Sequence, residues 1–258
     1  MNRWWRFGHE RSVLETQPIK RWLLRWWGWR QLGPRIRYGH VEQATRGMHP
    51  HRILEVGCGW GQNLLTLHQR WPSAELVGLD QDAHALAEAR QIAQQFGVSP
   101  LRLVHATLPA LPVEGPFDLL LMVDVLEYIA EDLRVLRQLR TVVAPQGHLL
   151  LHVPRRITEQ RRYLPISHDV TGHVRPEYTR EDIAHTLRAA GWHVQEVHPT
   201  FGMWGTIAWE CGRASERWRP WGAVLFPLLL SMARLDYCGA HHDGNGYLLM
   251  ARPGNDDD

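Results

Sequence analysis

Cysteine, long apolar runs and a leader-like front are all scarce in this chain, and each shortage narrows its class. Only three cysteines, Cys58, Cys211 and Cys238, occur in 258 residues. An odd count without CxxC spacing supports neither a disulfide framework nor a thiolate zinc site, and it suits a reducing, cytoplasmic setting. The longest apolar run, Gly222 to Leu230, contains Pro227 and falls far short of the roughly 20 residues that cross a bilayer. The opening MNRWWRFGHE has no continuous apolar stretch and no small-residue cleavage site, so secretion is not expected. No internal repeat occurs, and the only biased tract is the terminal GNDDD, expected to be disordered.

What is present is enough apolar residue, 44%, to bury the core of one large α/β domain. The formal charge of +2 hides an asymmetry: residues 1–46 carry ten Lys/Arg against three Glu, leaving 19 basic and 24 acidic of the totals of 29 and 27. The basic front includes RWLLRWWGWR, Arg21 to Arg30, with four tryptophans and three arginines. Such a stretch draws anionic surfaces, or is simply a solvated face.

From Arg52 onward, apolar runs alternate with helical patterns, as in βα units on a parallel sheet. Strands are expected at Arg52–Val56, Glu75–Leu79, Leu101–Val104, Phe117–Val123, His148–Val153, Trp192–His198 and Gly246–Ala251. Helices are expected at Gly61–Trp71, Ala83–Phe96 and Glu131–Val143, stopped by Pro72, Gly97 and Ala144-Pro145-Gln146-Gly147. A further helix opens at Thr179, with Asp182 at the capping-box position, and closes at Gly191. The implied architecture is a Rossmann-like, seven-stranded, mostly parallel sheet with an antiparallel last strand and helices on both faces. The domain expectation is a helical extension or lid at 1–46, a main domain at 47–253 with insertions at 154–178 and 202–243, and the tail 254–258. Both insertions leave the carboxyl edge of the sheet, where open α/β sheets bind ligands.

The sharpest chemical signal is ILEVGCGWGQN, Ile53 to Asn63, in which an apolar strand runs into Gly57, Gly59 and Gly61 at alternate positions and a helix follows at once. Side chains there would block a tight turn and the close approach of a ligand. A dinucleotide fingerprint needs G-x-G-x-x-G, yet Gln62 stands where its third glycine belongs. On this loop, on Asp80 at the end of LVGLD, and on FDLLLMVDVLEYI, residues 52–153 and the elements up to about 200 resemble the class I S-adenosylmethionine-dependent methyltransferases. The similarity is narrower to the small-molecule branch that includes the ubiquinone and menaquinone enzymes. It implies S-adenosylmethionine as cofactor, held by Glu55, Gly57, Gly59 and Gly61 of the loop, Asp80 on the ribose hydroxyls, Gln81 beside it, Thr107, and Asp124. A carboxylate suits Asp80's role because it accepts two hydroxyl donors at once. Two departures stand out: Tyr128 occupies the place where the family often has histidine, and His105-Ala106-Thr107 replaces the usual acidic contact to adenine.

The segment HDVTGHVRPEYT resembles the family element that sets a histidine and an arginine, here His173 and Arg175, near the carboxyl edge. Methyl transfer needs alignment first and little acid-base help. A hydroxyl acceptor gains from a base, and histidine titrates near neutrality. His173 is therefore the first catalytic candidate, His168 the second and Asp124 a weaker third, with hydrogen-bonded loop residues the competing reading. His168, Asp169 and His173, and His241-His242-Asp243, match no known metal-ligand spacing, so no metal site is expected.

The acceptor is expected to be a small or medium-sized molecule, apolar in character, methylated at oxygen or carbon; nitrogen, or a non-catalytic cofactor-binding scaffold at a membrane, is the alternative. On a helical wheel Trp22, Trp26 and Trp29 fall within about 60° of one another between Arg25 and Arg30. The second insertion adds WRPWGAVLFPLLLSMARL. Segments 1–31 and 217–235 are thus candidates either for a lid or for peripheral membrane contact; nucleic acid is not an expected partner.

Overall fold

The computed structural model describes residues 7–27, 31–166, 172–174, 178–215, 219–236 and 243–254. The elements run α1 (Pro18–Trp27), α2 (Leu32–Ala44), β1 (Arg52–Val56), α3 (Gln62–His68), β2 (Glu75–Asp80), α4 (Ala83–Phe96), β3 (Leu101–His105), β4 (Phe117–Val123), α5 (Asp132–Val142), β5 (Val143–Pro154), α6 (Arg180–Ala189), β6 (Trp192–Thr200), α7 (Met203–Ser215), α8 (Arg219–Leu235) and β7 (Gly246–Pro253). The strands form one sheet in the order β3-β2-β1-β4-β5-β7-β6. β7 is antiparallel to both neighbours, as the sequence pattern implied.

Apolar residues run almost unbroken through the central strands because both faces are covered: Leu54, Val56, Leu120 and Met122 belong to the core on one side, Ile53, Leu119 and Leu121 to that on the other. Helix ends follow local chemistry. Asp82 caps α4 by accepting from the amides of His84 and Ala85, and Gly97 ends it in the left-handed region. The capping box of α6 forms as expected, with Thr179 and Asp182 bonding reciprocally.

Several expectations need correction. α3 stops at His68, because Trp71 leaves the helix to bury its ring and donates from Nε1 to the Met48 carbonyl at 3.1 Å. Ala144-Pro145-Gln146-Gly147 does not separate helix from strand: β5 begins at Val143, opposite Phe117, and the register then jumps to His148 opposite Leu119. The extra residues between these pairs bulge out, which lets proline sit in a strand. The tail does not begin at Gly254, whose amide bonds to the Gly191 carbonyl at 2.9 Å; residues 255–258 lie outside the described residues.

The second insertion folds as the helical pair α7 and α8, and α2 packs against that pair. Close approach is built in: a Cβ at Gly33 would meet the Trp209 indole at 3.2 Å, and one at Gly212 would meet Leu32 at 3.0 Å. The first 46 residues therefore divide into two unlike parts. α2 is integral, with Leu32, Ile36, Tyr38 and Val41 buried, whereas α1 leaves Ile19, Trp22 and Trp26 facing outward at 76%, 57% and 60% exposure. Among the described residues, no helix is long and apolar enough to cross a membrane.

Candidate functional site

The strand order reverses between β1 and β4, so the carboxyl ends of β1, β2 and β4 open into one crevice. Register places the groups there: Val56 pairs with Leu79 and with Met122, which brings Gly57, Asp80 and Asp124 to a common edge. A cavity of about 380 Å³ lies against Gly57, Asp80, Gln81, Thr107, Asp124 and Tyr128. A second cavity of about 170 Å³ is lined by Arg37, Asp124, Tyr128, His152, His173, Phe201, Trp209 and Arg213, among others. Asp124 and Tyr128 belong to both walls.

The glycine loop makes the first cavity. Gly57, Gly59 and Gly61 have φ of 74°, 51° and 78°, a region that costs an L side chain roughly 1–2 kcal/mol. Gly57 is doubly constrained, since a Cβ there would stand 2.2 Å from Val125 Cγ2. The Asp80 carboxylate accepts from the Gly59 amide at 2.6 Å and the Asp82 amide at 2.8 Å. It retains lone pairs for further donors, as a carboxylate offers about four acceptor sites. His105 approaches the Gln81 carbonyl through Nε2 at 2.9 Å.

Glu55 behaves differently from its neighbours. It is 2% exposed, does not line the 380 Å³ cavity, and accepts from Asn63 Nδ2 at 2.5 Å. Desolvation by burial pushes its carboxyl up to about 8, only partly offset by the Asn63 hydrogen bond. Gly59 and Gly61 likewise shape the turn without lining the cavity.

The second cavity centres on an ionic network. Asp124 sits just past β4 with φ of 53°; its amide bonds to the His152 carbonyl at 3.1 Å. Its Oδ1 meets His152 Nδ1 at 2.5 Å and its Oδ2 meets Arg37 Nη1 at 3.0 Å. Burial alone would raise this carboxyl. The Arg37 guanidinium, then His152 and its hydrogen bond, then His173 overcome that and hold Asp124 down at about 2. An ionised Asp124 leaves His152 Nδ1 as the donor. The other nitrogen of His152 lies 2.9 Å from Thr200 Oγ1, so both sides of this buried imidazole are engaged. His173, the first catalytic candidate, does face the cavity, its ring edge-on to Tyr128 with centroids 4.8 Å apart. His168, Asp169, Arg175, His241 and His242 lie outside the described residues. Among the described residues, no group of three His, Cys, Asp or Glu could hold a metal.

The two insertions are clasped together above this cavity. Arg155 and Arg161 of the first both pair with Asp243 of the second, Arg161 at 2.7 Å. Glu210 Oε2 accepts from the amides of Tyr163 and Leu164 at 3.1 and 2.9 Å. Sequence reasoning missed Arg37, His152, Phe201, Trp209 and Arg213. Arg37 sits in a helix that was read as an extension, and His152 is an alternate position in a strand read only for its apolar pattern. The rest lie at or beyond the end of β6, where no motif gives a signal.

Residues 53–147 match the family model described as a methyltransferase domain. The ubiquinone biosynthesis O-methyltransferase of Acinetobacter baumannii strain AYE is 23% identical over 177 residues, 65% of this chain and 73% of that one. The trans-aconitate 2-methyltransferase of Azoarcus sp. strain BH72 is 31% identical over 107 residues, 42% of this chain and 40% of that one. Among solved structures, the cyclase SpnF aligns with a TM-score of 0.62 and 22% identity over 85% of this chain and 81% of that one. An S-adenosylmethionine-dependent methyltransferase from Clostridium acetobutylicum aligns at 0.56 and 11% identity over 85% of this chain and 91% of that one.

Proposed function

We propose that this chain, a class I S-adenosylmethionine-dependent methyltransferase, transfers its methyl group to a hydroxyl oxygen of a small acceptor held in the 170 Å³ cavity. One observation carries the reading: Asp124 and Tyr128 form a wall common to the two cavities, and a histidine, His173, lines the acceptor side. The relatives named as ubiquinone biosynthesis O-methyltransferases support the choice of oxygen.

The residues at the larger cavity fit the cofactor. The backbone of Gly57 is bare, Asp80 can accept the two ribose hydroxyls, and Gln81 and Thr107 stand on the same wall. Bound there, S-adenosylmethionine supplies a methyl carbon made electrophilic by a sulfonium. The protein's contribution is alignment, which alone can supply several kcal/mol of the barrier. His173 would accept the hydroxyl proton of the acceptor, making its oxygen the better nucleophile. Asp124, fixed between Arg37 and His152, keeps a negative charge beside the site where the cationic methyl donor would lie.

Calorimetry with S-adenosylhomocysteine, followed by turnover of labelled S-adenosylmethionine on quinol and phenol acceptors, tests the assignment. Absence of cofactor binding sinks the methyltransferase reading. Binding with methylation only of amines replaces oxygen by nitrogen, and binding without any turnover favours a scaffold.

The outward face of α1 supports contact with an anionic lipid surface. Ile19, Trp22 and Trp26 project from one side, while Lys20, Arg21 and Arg25 are exposed along the same helix. Tryptophan favours the interfacial layer, and the long basic side chains reach headgroup phosphates.

A further inference from the structure

We infer that the acceptor carries an acidic group, a carboxylate or equivalent anion, and that Arg213 is the residue that recognises it. This rests on the reading of the smaller cavity as the acceptor site. The cavity of about 170 Å³ is close to the roughly 150 Å³ engineered void that takes up benzene, so it has room for one aromatic ring.

Phe201 and Trp209 supply an apolar corner for that ring, their own rings edge-to-face with centroids 6.4 Å apart. Two arginines face the same space, and they differ. Arg37 spends its charge on Asp124 at 3.0 Å. Arg213, on the last turn of α7, has its guanidinium carbon 5.5 Å from the centre of the Trp209 ring. Among the described residues, no carboxylate lies within 4.0 Å of it. The cavity's second carboxylate, Glu127, makes no ion pair with it, and neighbouring Glu210 instead accepts from the Tyr163 and Leu164 amides. A guanidinium is a fork of donors shaped for a planar anion, and a cation–π contact with an indole leaves those donors unsatisfied.

The geometry therefore offers an aromatic slot with a cation at its edge that, among the described residues, meets no carboxylate, and a histidine, His173, also on its wall. A monocyclic hydroxy acid matches each part: its ring packs on Phe201 and Trp209, its acid group meets Arg213, and its hydroxyl turns toward His173. The neutral amides and hydroxyl of the cavity, Gln160, Asn245 and Thr206, add no competing charge.

The test compares 3- and 4-hydroxybenzoates and 3,4-dihydroxybenzoate with the corresponding amides, in the presence of saturating S-adenosylhomocysteine for binding and S-adenosylmethionine for turnover. The acids should exceed the amides at least tenfold in kcat/KM or affinity. Arg213→Met should cut the preference for acids over amides by that factor and leave S-adenosylhomocysteine affinity unchanged, with Arg213→Lys intermediate. Equal preference in the wild type, an equal loss for acids and amides in Arg213→Met, or binding of none of the acids at millimolar concentration overturns the inference. Failure of S-adenosylhomocysteine to bind at all would instead overturn the methyltransferase reading beneath it.

Discussion

Arg37 and Asp124 are 87 positions apart and meet at 3.0 Å. A helix outside the alternating βα pattern thus supplies the cation that keeps the carboxylate after β4 ionised. The first consequence concerns stability. Both side chains are about one quarter exposed, so removing one partner should cost less than in a fully buried pair. Arg37→Met is expected to destabilise the protein by about 1–3 kcal/mol in denaturant unfolding. It should also raise the pKa of Asp124, seen as a carboxyl titration moving upward in NMR.

Glu55 predicts a pH dependence of opposite sense. Its folded pKa, about 8, lies above the ordinary 4.5, so the folded protein holds the proton longer than the unfolded chain. The associated stability is complete below pH 4.5 and is lost as pH rises through 8. Glu55→Gln keeps the Asn63 contact and should flatten that decline in the cofactor-free protein, measured as melting temperature from pH 5 to 9. An unchanged slope would show that Glu55 does not carry the proton.

Asp80→Ala should weaken S-adenosylhomocysteine binding about 100-fold or more in calorimetry, the scale of losing two hydrogen bonds to a charged acceptor. Since Asp80 also accepts from the Gly59 and Asp82 amides, Asp80→Asn serves as the milder comparison. An affinity unchanged in both would place the ribose elsewhere.

For His173, removal of a general base predicts a loss of about 10²–10⁴ in kcat. His173→Ala should leave S-adenosylhomocysteine affinity intact while turnover falls. Unchanged turnover would assign the base to another residue.

The lipid contact proposed for α1 makes its own demand. Binding to vesicles containing phosphatidylglycerol should fall as salt rises. A Trp22→Ser, Trp26→Ser variant should lose it while keeping cofactor affinity. Identical partitioning of variant and wild type would exclude this face.

Much of the fold was legible because its signals are local and repeated. Each βα unit announces itself by an apolar run, a break and a 3.6-residue period. Caps at Asp82, Gly97 and Thr179 fix where helices begin and end. The lining of the larger cavity was legible for the same reason, since Gly57, Asp80 and Thr107 stand at or just past strand ends in order. The lining of the smaller cavity was not. Arg37, Phe201, Trp209 and Arg213 come together through packing of α2 on α7 and α8, and no spacing in the chain encodes a contact between a helix near the start and a pair near the end. His152 was hidden by its strand: a polar side chain among leucines reads as an exception until its partners Asp124 and Thr200 are seen.

The shared wall of the two cavities has a consequence for how such a protein can change. Phe201, Trp209 and Arg213 line the smaller cavity and not the larger, so on the proposed reading altering them would retune which molecule is accepted and leave the methyl-donor side as it was. Tyr128 and Asp124 offer no such freedom. A lineage exploring new acceptors would therefore be expected to vary at the helical pair first, and to hold those two positions still.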